Sequence, residues 1–200
     1  ANAELENERL EGFELGLDWY PNRNVALSLT AFDNRVENAI ANVTLEENLR
    51  QRQNLPAIDA QGIEASAVVV LGEMSFDGSL AYTDATIDGQ DTSATLDGNR
   101  PPQTPKFSAS ATLSWEPAAR WRLATTLRHT SAQFEDDQET DSLAAATTLD
   151  LFGSAPLTKA ITAILRAENL FDEEIITRNT AGAIDLGVPQ TFWAGVRINF

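Results

Sequence analysis

The stretch Phe107-Ser-Ala-Ser-Ala-Thr-Leu-Ser-Trp115 alternates apolar and hydroxyl-bearing side chains without a break. Such a period of two predicts a β-strand with one apolar and one polar face, because successive side chains of a strand point to opposite sides. The same alternation recurs along the chain, for example in residues 13–19, 63–71 and 192–200. It predicts about nine strands, most of them about 9–13 residues long, whereas the usual strand has about 5–6 residues. The fold is therefore expected to be all-β.

The connections between the predicted strands alternate in length. The short ones are residues 21–24, 72–74, 117–120 and 155–159, and the long ones are roughly residues 38–60, 88–104, 134–142 and 172–190. Short turns with Pro, Asn and Gly join antiparallel neighbours as hairpins. The alternation predicts an up-and-down antiparallel meander with all long loops at one end, and it indicates no helix and no second domain.

Composition excludes several classes of function. The 200 residues include 14 Lys+Arg and 30 Asp+Glu, which gives a formal charge of −16 and argues against nucleic acid as a partner. Without cysteine, and with His129 as the single histidine, the chain offers no disulfide, thiolate zinc site or multi-histidine metal site. We expect no cofactor. The start of the chain lacks the pattern of a signal peptide, and the longest apolar run, residues 67–71, is too short for a membrane helix.

Alternation alone leaves open which face of the sheet is wet. Strands of about ten residues suit a tilted crossing of a bilayer, and the apolar face carries no charge in the strands counted. Aromatic residues also cluster at the strand ends, as two interfacial girdles would require. Those expected near the short turns are Trp19, Tyr20, Phe76, Trp115, Trp121, Phe152 and Phe200; those near the long loops are Phe13, Phe107, Phe134, Phe171, Phe192 and Trp193. These features favour a transmembrane barrel wall over the alternative, a soluble β-sandwich.

Several residue groups carry potential chemistry. One long loop is crowded with carboxylates, which predicts either cation binding or, in the simpler reading, a solvated acidic loop tip; they are Glu135, Asp136, Asp137, Glu139 and Asp141. His129 and Ser131 stand two apart on one predicted strand, so a Ser–His lipase is conceivable, although no third catalytic group is evident.

The remaining candidates favour structural roles. A carboxylate pair for glycoside hydrolysis is conceivable, but lining of a polar lumen is the preferred interpretation; the residues concerned are Glu14, Asp18, Glu64 and Glu168. Asn42-Val-Thr44 matches a glycosylation triplet. Arg23, Arg120 and Lys159 lie at short turns and are interpreted as solvated turn residues. No catalytic or metal-binding residue is predicted, and the ligand-binding residues stay unassigned.

Motifs near the end of the chain point to a family. Arg166-Ala-Glu-Asn-Leu-Phe-Asp172, followed by Gly187-Val-Pro-Gln-Thr-Phe192 and a closing strand, resembles the C-terminus of TonB-dependent outer-membrane receptors. Weaker matches cover most of the chain: Glu11-Gly-Phe-Glu-Leu-Gly-Leu17, Gly62-Ile-Glu64 and Asn99-Arg-Pro-Pro-Gln-Thr-Pro-Lys106. Gly195, Ile198 and Phe200 match the terminal signal by which the family's barrels are recognised for insertion.

The resemblance implies a 22-stranded barrel plugged by an N-terminal domain, of which residues 1–200 would form the C-terminal part with about nine strands. It implies a bacterial outer-membrane receptor, not an enzyme, for energy-dependent uptake of a scarce nutrient such as a siderophore-iron chelate. The implied partners are this extracellular chelate, outer-membrane lipid and lipopolysaccharide, the barrel-assembly machinery, and the inner-membrane energy complex, reached through the absent plug. A passive porin or adhesin barrel remains the alternative. The edge strands, residues 12–20 and 191–200, would lack partners in an isolated segment.

Overall fold

The computed structural model describes residues 2–46 and 49–199. They form thirteen strands and one short 3-10 helix, Asp91–Leu96. The strands are β1 Arg9–Asn22, β2 Val25–Glu46, β3 Leu49–Leu71, β4 Met74–Asp88, β5 Phe107–Trp115, β6 Arg122–Thr130, β7 Gln133–Phe134, β8 Ser142–Leu143, β9 Ala146–Pro156, β10 Ile161–Glu168, β11 Ile176–Thr180, β12 Ala183–Leu186 and β13 Thr191–Ile198. No helix in the described part of the chain is long and apolar enough to cross a membrane.

Nine strands form one antiparallel sheet in the order β1-β2-β3-β4-β5-β6-β9-β10-β13. Each strand pairs with its neighbour along the meander, which confirms the predicted strand number and topology. The remaining strands form two small hairpins, β7–β8 and β11–β12, inside long connections. Among the described residues β1 and β13 do not pair with each other, so the sheet is open.

The register gives the sheet one apolar and one polar face. One apolar row runs from Leu29 through Ala65 and Leu80 to Ala109. The neighbouring row, displaced by one residue along each strand, is polar and crosses seven strands. Its members are Asp18, Ser28, Ser66, Ser79, Ser110, Arg128 and Thr148. The hydroxyls of Ser28 and Ser66 are 2.9 Å apart. The apolar face is not covered by protein, since Leu80 is 41% and Leu123 49% exposed, as expected of a barrel wall facing lipid.

The strands β2 and β3 are much longer than predicted. They have 22 and 23 residues, so most of the loop expected at residues 38–60 is a protruding hairpin. The hairpin carries one side of the hydrophobic core, which contains Ala39, Val43 and Leu55 from the hairpin together with Ile87 and Leu96. Leu96 comes from the 3-10 helix, which the sequence also did not indicate. The core thus lies at the long-loop end. There, contacts between distant segments stabilise the strand conformation of residues 38–60, although this part of the sequence is polar.

Two aromatic assignments are wrong. Phe152 pairs with Ala124 and Arg166, and Trp193 also pairs with Arg166, so both lie on the polar face and do not belong to a lipid-facing girdle. The Trp193 indole accordingly donates to Glu168 Oε2 at 3.3 Å. The remaining strand aromatics include Phe107 and Trp115, which pair with Tyr82 and Met74 on the apolar face.

Gly62, quoted above as part of a family motif, permits a close approach between strands. A Cβ atom at this position would lie 2.2 Å from the Tyr82 carbonyl oxygen and 2.6 Å from Phe32 Cζ. Only a residue without a side chain fits there, and Phe32 occupies the space. Gly72, in the short β3–β4 turn, has a φ of 62°, which glycine adopts readily and other residues rarely do.

Candidate functional site

The acidic stretch of the β6–β9 loop (residues 131–145) folds around its own carboxylates. Asp136 is 2% exposed, and its carboxylate accepts hydrogen bonds from the backbone N–H groups of Gln138, Thr140 and Asp141 and from the Thr140 hydroxyl. Burial favours the neutral form and would raise the pKa of Asp136, but these donors outweigh it and hold the pKa below its usual value. Asp136 is thus a charged centre about which the loop is organised.

Asp137 joins this loop to two others. It is also 2% exposed, and its carboxylate accepts hydrogen bonds from the Thr44 backbone N–H at 2.8 Å and the Thr44 hydroxyl at 2.7 Å. Its carbonyl oxygen accepts one from Asn99 Nδ2 at 3.0 Å. We call these contacts the Asp137 bracket. It fixes the β2–β3 hairpin, through Thr44, and the β4–β5 loop, through Asn99, against the acidic loop.

Further contacts extend the bracket into a continuous rim. The Arg100 backbone N–H donates to Glu139 at 2.8 Å, and the Arg100 guanidinium lies 4.7 Å from the centre of the Phe134 ring, a cation–π distance. On the other side, the Ala181 backbone N–H donates to Asp141 at 3.0 Å. Ala181 follows β11 in the β10–β13 connection, so every long connection of the sheet contacts the acidic loop.

These observations correct the interpretation of the acidic cluster. Asp136 and Asp137 are buried acceptors, so the simpler reading of a solvated loop tip is wrong for both. Within residues 2–46 and 49–199 no group of three or more His, Cys, Asp or Glu side chains is arranged to hold a metal ion. Thr44, the last residue of the glycosylation triplet, is the partner of Asp137.

The Asn169-Leu-Phe-Asp172 motif closes the β10–β13 connection onto the sheet. Asn169 is 3% exposed and has a φ of 49°. Its Nδ2 donates to the carbonyl oxygens of Glu173 at 2.8 Å and Val188 at 3.2 Å, and its Oδ1 accepts from the Glu173 N–H at 2.9 Å. Asp172 accepts from the Gln190 N–H at 3.0 Å. The motif therefore ties both ends of this connection together.

The polar face carries ion pairs between neighbouring strands and along a strand. Arg128 pairs with Asp150, and Arg166 pairs with Glu168 at 3.1 Å; both pairs border a groove of about 380 Å³. Glu14 and Asp18 lie on β1 and Glu64 on β3, at the opposite side of the sheet from Glu168 on β10. The structure thus does not bring Glu168 together with the other three carboxylates, and their positions agree with lining of a polar lumen.

His129 and Ser131 do not interact as a catalytic pair. The His129 Nδ1 atom is 2.8 Å from the Thr147 hydroxyl, and the Ser131 hydroxyl accepts a hydrogen bond from the Phe107 backbone N–H at 3.0 Å. Both groups therefore have partners that stitch neighbouring strands at the long-loop end. The His129 ring also lies 5.8 Å from the Phe107 ring.

Two residues of the predicted assembly signal, Gly195 and Ile198, lie on the edge strand β13. Gly195 pairs with Ile164 and Ile198 with Ile161, and Ile198 is 52% exposed. Phe200 lies outside the described residues. The signal stays a prediction.

Sequence reasoning missed Asn54 and the bracketing role of Asp137. Asn54 Oδ1 accepts from the Glu6 N–H at 2.8 Å, and its Nδ2 donates to the Asn38 carbonyl at 2.6 Å, which ties the N-terminal segment to the β2–β3 hairpin. The only local signal for Asp137 is its place in an acidic run. Its partner Thr44 is 93 residues away, so no spacing rule connects the two.

The chain is similar to known proteins over most of its length. A family model described as "TonB dependent receptor-like, beta-barrel" matches residues 1–170. A search of curated proteins finds no match.

Solved structures share the fold. The ferric yersiniabactin uptake receptor FyuA from Yersinia pestis has a TM-score of 0.81 at 19% identity, covering 96% of this chain and 30% of that chain. The siderophore receptor PiuA from Acinetobacter baumannii has a TM-score of 0.80 at 15% identity, covering 94% of this chain and 28% of that one. The copper transporter OprC has a TM-score of 0.78 at 20% identity, covering 99% of this chain and 32% of that one. The chain thus spans about 30% of the length of the first of these structures.

Proposed function

Because this chain belongs to the TonB-dependent receptor family and is part of a bacterial outer-membrane receptor, we propose that its rim helps to capture a scarce nutrient for energy-dependent uptake. This nutrient would be a siderophore-iron chelate or a similar metal chelate. The family consists of receptors and transporters rather than enzymes. In this proposal the segment supplies no catalytic group. It binds the chelate and lets it enter the barrel.

The observation that carries the proposal is the rim at one end of the sheet. The long connections meet at the acidic loop and are held there by hydrogen bonds, with the buried Asp137 and its bracket at the centre. Below the rim the polar face continues along the strands with hydroxyl groups and paired charges. A ligand that enters at the rim would thus meet polar surface along its path, whereas lipid would meet the apolar face.

The whole protein is proposed to follow the family plan. Residues 1–200 would form the C-terminal part of a 22-stranded barrel, with an N-terminal plug that contacts the inner-membrane energy complex. The long loops would be extracellular and the short turns periplasmic. The fold relatives named for ferric yersiniabactin and for siderophores support an iron chelate as the ligand. The copper transporter makes a copper species the second candidate to include in any binding test.

The test uses the full-length gene. A deletion strain and the same strain complemented with the gene would be grown under iron limitation with a panel of single ferric siderophores, and under copper limitation in parallel. We expect at least one iron chelate to restore growth only in the complemented strain, and uptake of the labelled chelate to require the membrane potential. Normal uptake in the deletion strain, or rescue under copper limitation alone, would refute the iron-chelate proposal.

Assembly partners follow from the same premise. The barrel-assembly machinery would recognise the β13 end through Gly195, Ile198 and Phe200, and lipopolysaccharide would surround the long-loop end. A full-length receptor with Ile198→Asp should reach the outer membrane in lower amount than one with Asn199→Asp. Equal amounts of the two variants would argue against the signal.

A further inference from the structure

A hollow of the polar face lies at the short-turn end of the sheet and has a volume of about 290 Å³. Its walls come from the β5–β6 turn, from β6 and β9, and from the adjoining ends of β10 and β13. Ser154 and Thr162 line it together with Glu116 and three arginines, which are Arg120, Arg122 and Arg197. One glutamate and three arginines give this lining a formal charge of +2, whereas the whole chain carries −16. We call it the cationic hollow.

The strand register continues this positive charge along the sheet. Counted from the short turns, Arg197 lies in the first row of the polar face, Arg122 in the second and Arg166 in the third. Rows on one face are about 7 Å apart. On β6, β9, β10 and β13 the first carboxylates, Asp150 and Glu168, lie one row farther toward the long loops. Arg122 lines both the cationic hollow and the groove of about 380 Å³ described above, so the two are neighbours.

Two of the guanidinium groups are held in place by the protein. Arg120 Nη1 donates to the Lys159 carbonyl oxygen at 2.9 Å, and Arg122 Nη2 donates to the hydroxyl of the buried Ser114 at 3.3 Å. Arg122 Nε also lies 3.5 Å from Glu116 Oε1, but both side chains are more than half exposed. Because such an exposed pair contributes little, an incoming anion can compete with Glu116 for Arg122.

The other side of the polar face has the opposite sign. On β1, β3 and β4 this face carries carboxylates, which are Glu14, Asp18, Glu64 and Asp77. No Lys or Arg occurs in the sheet segments there, residues 12–20, 26–34, 60–70 and 75–83. Fixed charges of one sign concentrate ions of the opposite sign. An anion on the polar face is therefore repelled from β1–β4 and attracted toward the cationic hollow.

From these features we infer that the cationic hollow binds a polycarboxylate anion. Guanidinium groups bind carboxylates through paired N–H···O contacts in a fixed geometry. The volume of about 290 Å³ is much larger than the roughly 30 Å³ that one water occupies, so the hollow holds more than one small oxyanion. A ligand with several carboxylates contacts all three arginines at once, whereas a single inorganic ion does not.

The inference rests on the proposed function and makes it more specific. If the segment admits a metal chelate, the cationic hollow is the last polar site that the chelate meets at the short-turn end. The chelate would then carry carboxylate groups that are not all used in binding the metal. The acidic rim would release such an anion, and the arginines would draw it along the wall.

The first test reads the electrostatic potential of the hollow with a single thiol, since residues 1–200 contain no cysteine. Ser154→Cys in the full-length receptor would react with an anionic sulfonatoethyl methanethiosulfonate and with its cationic trimethylammonium analogue. The receptor without this substitution gives the background rate. We expect the ratio of anionic to cationic rates to be about tenfold higher than for Ser66→Cys, which lies on the acidic side of the polar face.

Protection of the same thiol measures binding. With neutral methyl methanethiosulfonate as the reagent, tricarballylate, a tricarboxylate, should slow the reaction of Ser154→Cys in a saturable way. Its uncharged trimethyl ester should not. Inorganic phosphate should need an about tenfold higher concentration for half-protection, because it loses at least one contact with a charged group.

Substitutions connect the protection to the arginines. Arg122→Gln and Arg197→Gln should each raise the half-protecting concentration of tricarballylate about tenfold, the effect of one hydrogen bond between charged groups. Arg120→Asn removes the third cation, and asparagine tolerates the φ of 66° at this position, so the turn should be preserved. Arg23→Gln is the matched control, since it removes a cation from the β1–β2 turn and should change nothing.

Three results would overturn the inference. They are equal protection by tricarballylate and its trimethyl ester, unchanged protection in the Arg122/Arg197 double variant, and protection by phosphate at the same concentration as tricarballylate. Each would leave the proposed uptake function standing, because growth on ferric siderophores tests that function separately. Conversely, saturable protection in a receptor whose deletion leaves iron uptake normal would keep the site and refute the uptake function.

Discussion

Breaking the Asp137 bracket should loosen the β2–β3 hairpin while leaving the sheet intact. The most selective change is Thr44→Val, which keeps the shape of the side chain and the backbone N–H but removes the hydroxyl that donates to Asp137 at 2.7 Å. A hydrogen bond to a charged group contributes about 1.5–3 kcal/mol. Because Asp137 is 2% exposed, water cannot replace the lost donor without opening the contact, so the effect should be near the middle of that range.

Hydrogen exchange measures this effect directly. A fall of about 2 kcal/mol in the free energy of local opening corresponds to about 30-fold faster exchange. In the full-length receptor we expect this acceleration for amides of the hairpin beyond Asn38, with those of β5 and β6 unchanged. Asp137→Ala also leaves the Thr44 N–H without its acceptor, and it should accelerate exchange of the same amides even more.

Matched variants make this prediction refutable. Thr44→Ser retains a hydroxyl and should preserve most of the protection. Asp185→Asn removes one charge of an exposed ion pair with Arg178, 3.5 Å long, and should change nothing in the hairpin. If Thr44→Val exchanged like the wild type, or if the whole sheet lost protection together, the bracket would not be the local clamp described above.

Other expected outcomes follow from the same structure. Asn169→Ala loses three buried side-chain hydrogen bonds and a residue suited to positive φ, and should lower the free energy of unfolding by about 2–4 kcal/mol, seen as a lower melting temperature, whereas Asn169→Gly should recover part of it. Leu80→Lys places a charge on the apolar face and should cost about 2–4 kcal/mol in folding into lipid vesicles, while Ser79→Lys on the polar face should be tolerated; equal effects would contradict the assignment of the faces. The pKa of Asp136 is lowered on folding, so its stabilisation is complete above the unfolded-state value of about 3.9 and is lost as the pH falls through the lower folded value. Proteolysis of the acidic loop should therefore not increase between pH 7 and pH 5, and Asp136→Asn should remove the acid-induced increase below pH 4.

The sequence predicted the wall of the sheet because strand pairing here is local. Alternation identifies each strand, and short turns dictate that neighbours along the chain pair, so the strand number and order follow without knowledge of distant contacts. Position near a strand end does not predict the faces of Phe152 and Trp193, because the face depends on whether a residue is odd or even along its strand. A shift of one residue moves a side chain to the opposite face. Phe152 and Trp193 both pair with Arg166, which places both on the polar face.

The rim could not be predicted in the same way. Residues 38–60 carry many polar side chains and read as loop, yet a hydrophobic core shared with Leu96 keeps them in strands. Likewise, an acidic run ordinarily predicts solvated carboxylates, whereas Asp136 and Asp137 are buried because backbone N–H groups and Thr44 satisfy them. The hairpin core and the contacts of Asp137 join segments that no local pattern connects, whereas the donors to Asp136 lie within its own loop.

The Asp137 bracket has a consequence for the order of folding. Its two hydrogen bonds to Thr44 join residues 93 positions apart, whereas each strand of the wall pairs with the next strand of the meander. Closing a long segment costs more entropy than closing a hairpin, so the hairpins should zip first and the bracket should form after the rate-limiting step. Loss of the bracket should then speed unfolding and leave the folding rate nearly unchanged. Asp137 would act as a late lock that lengthens the lifetime of the folded rim.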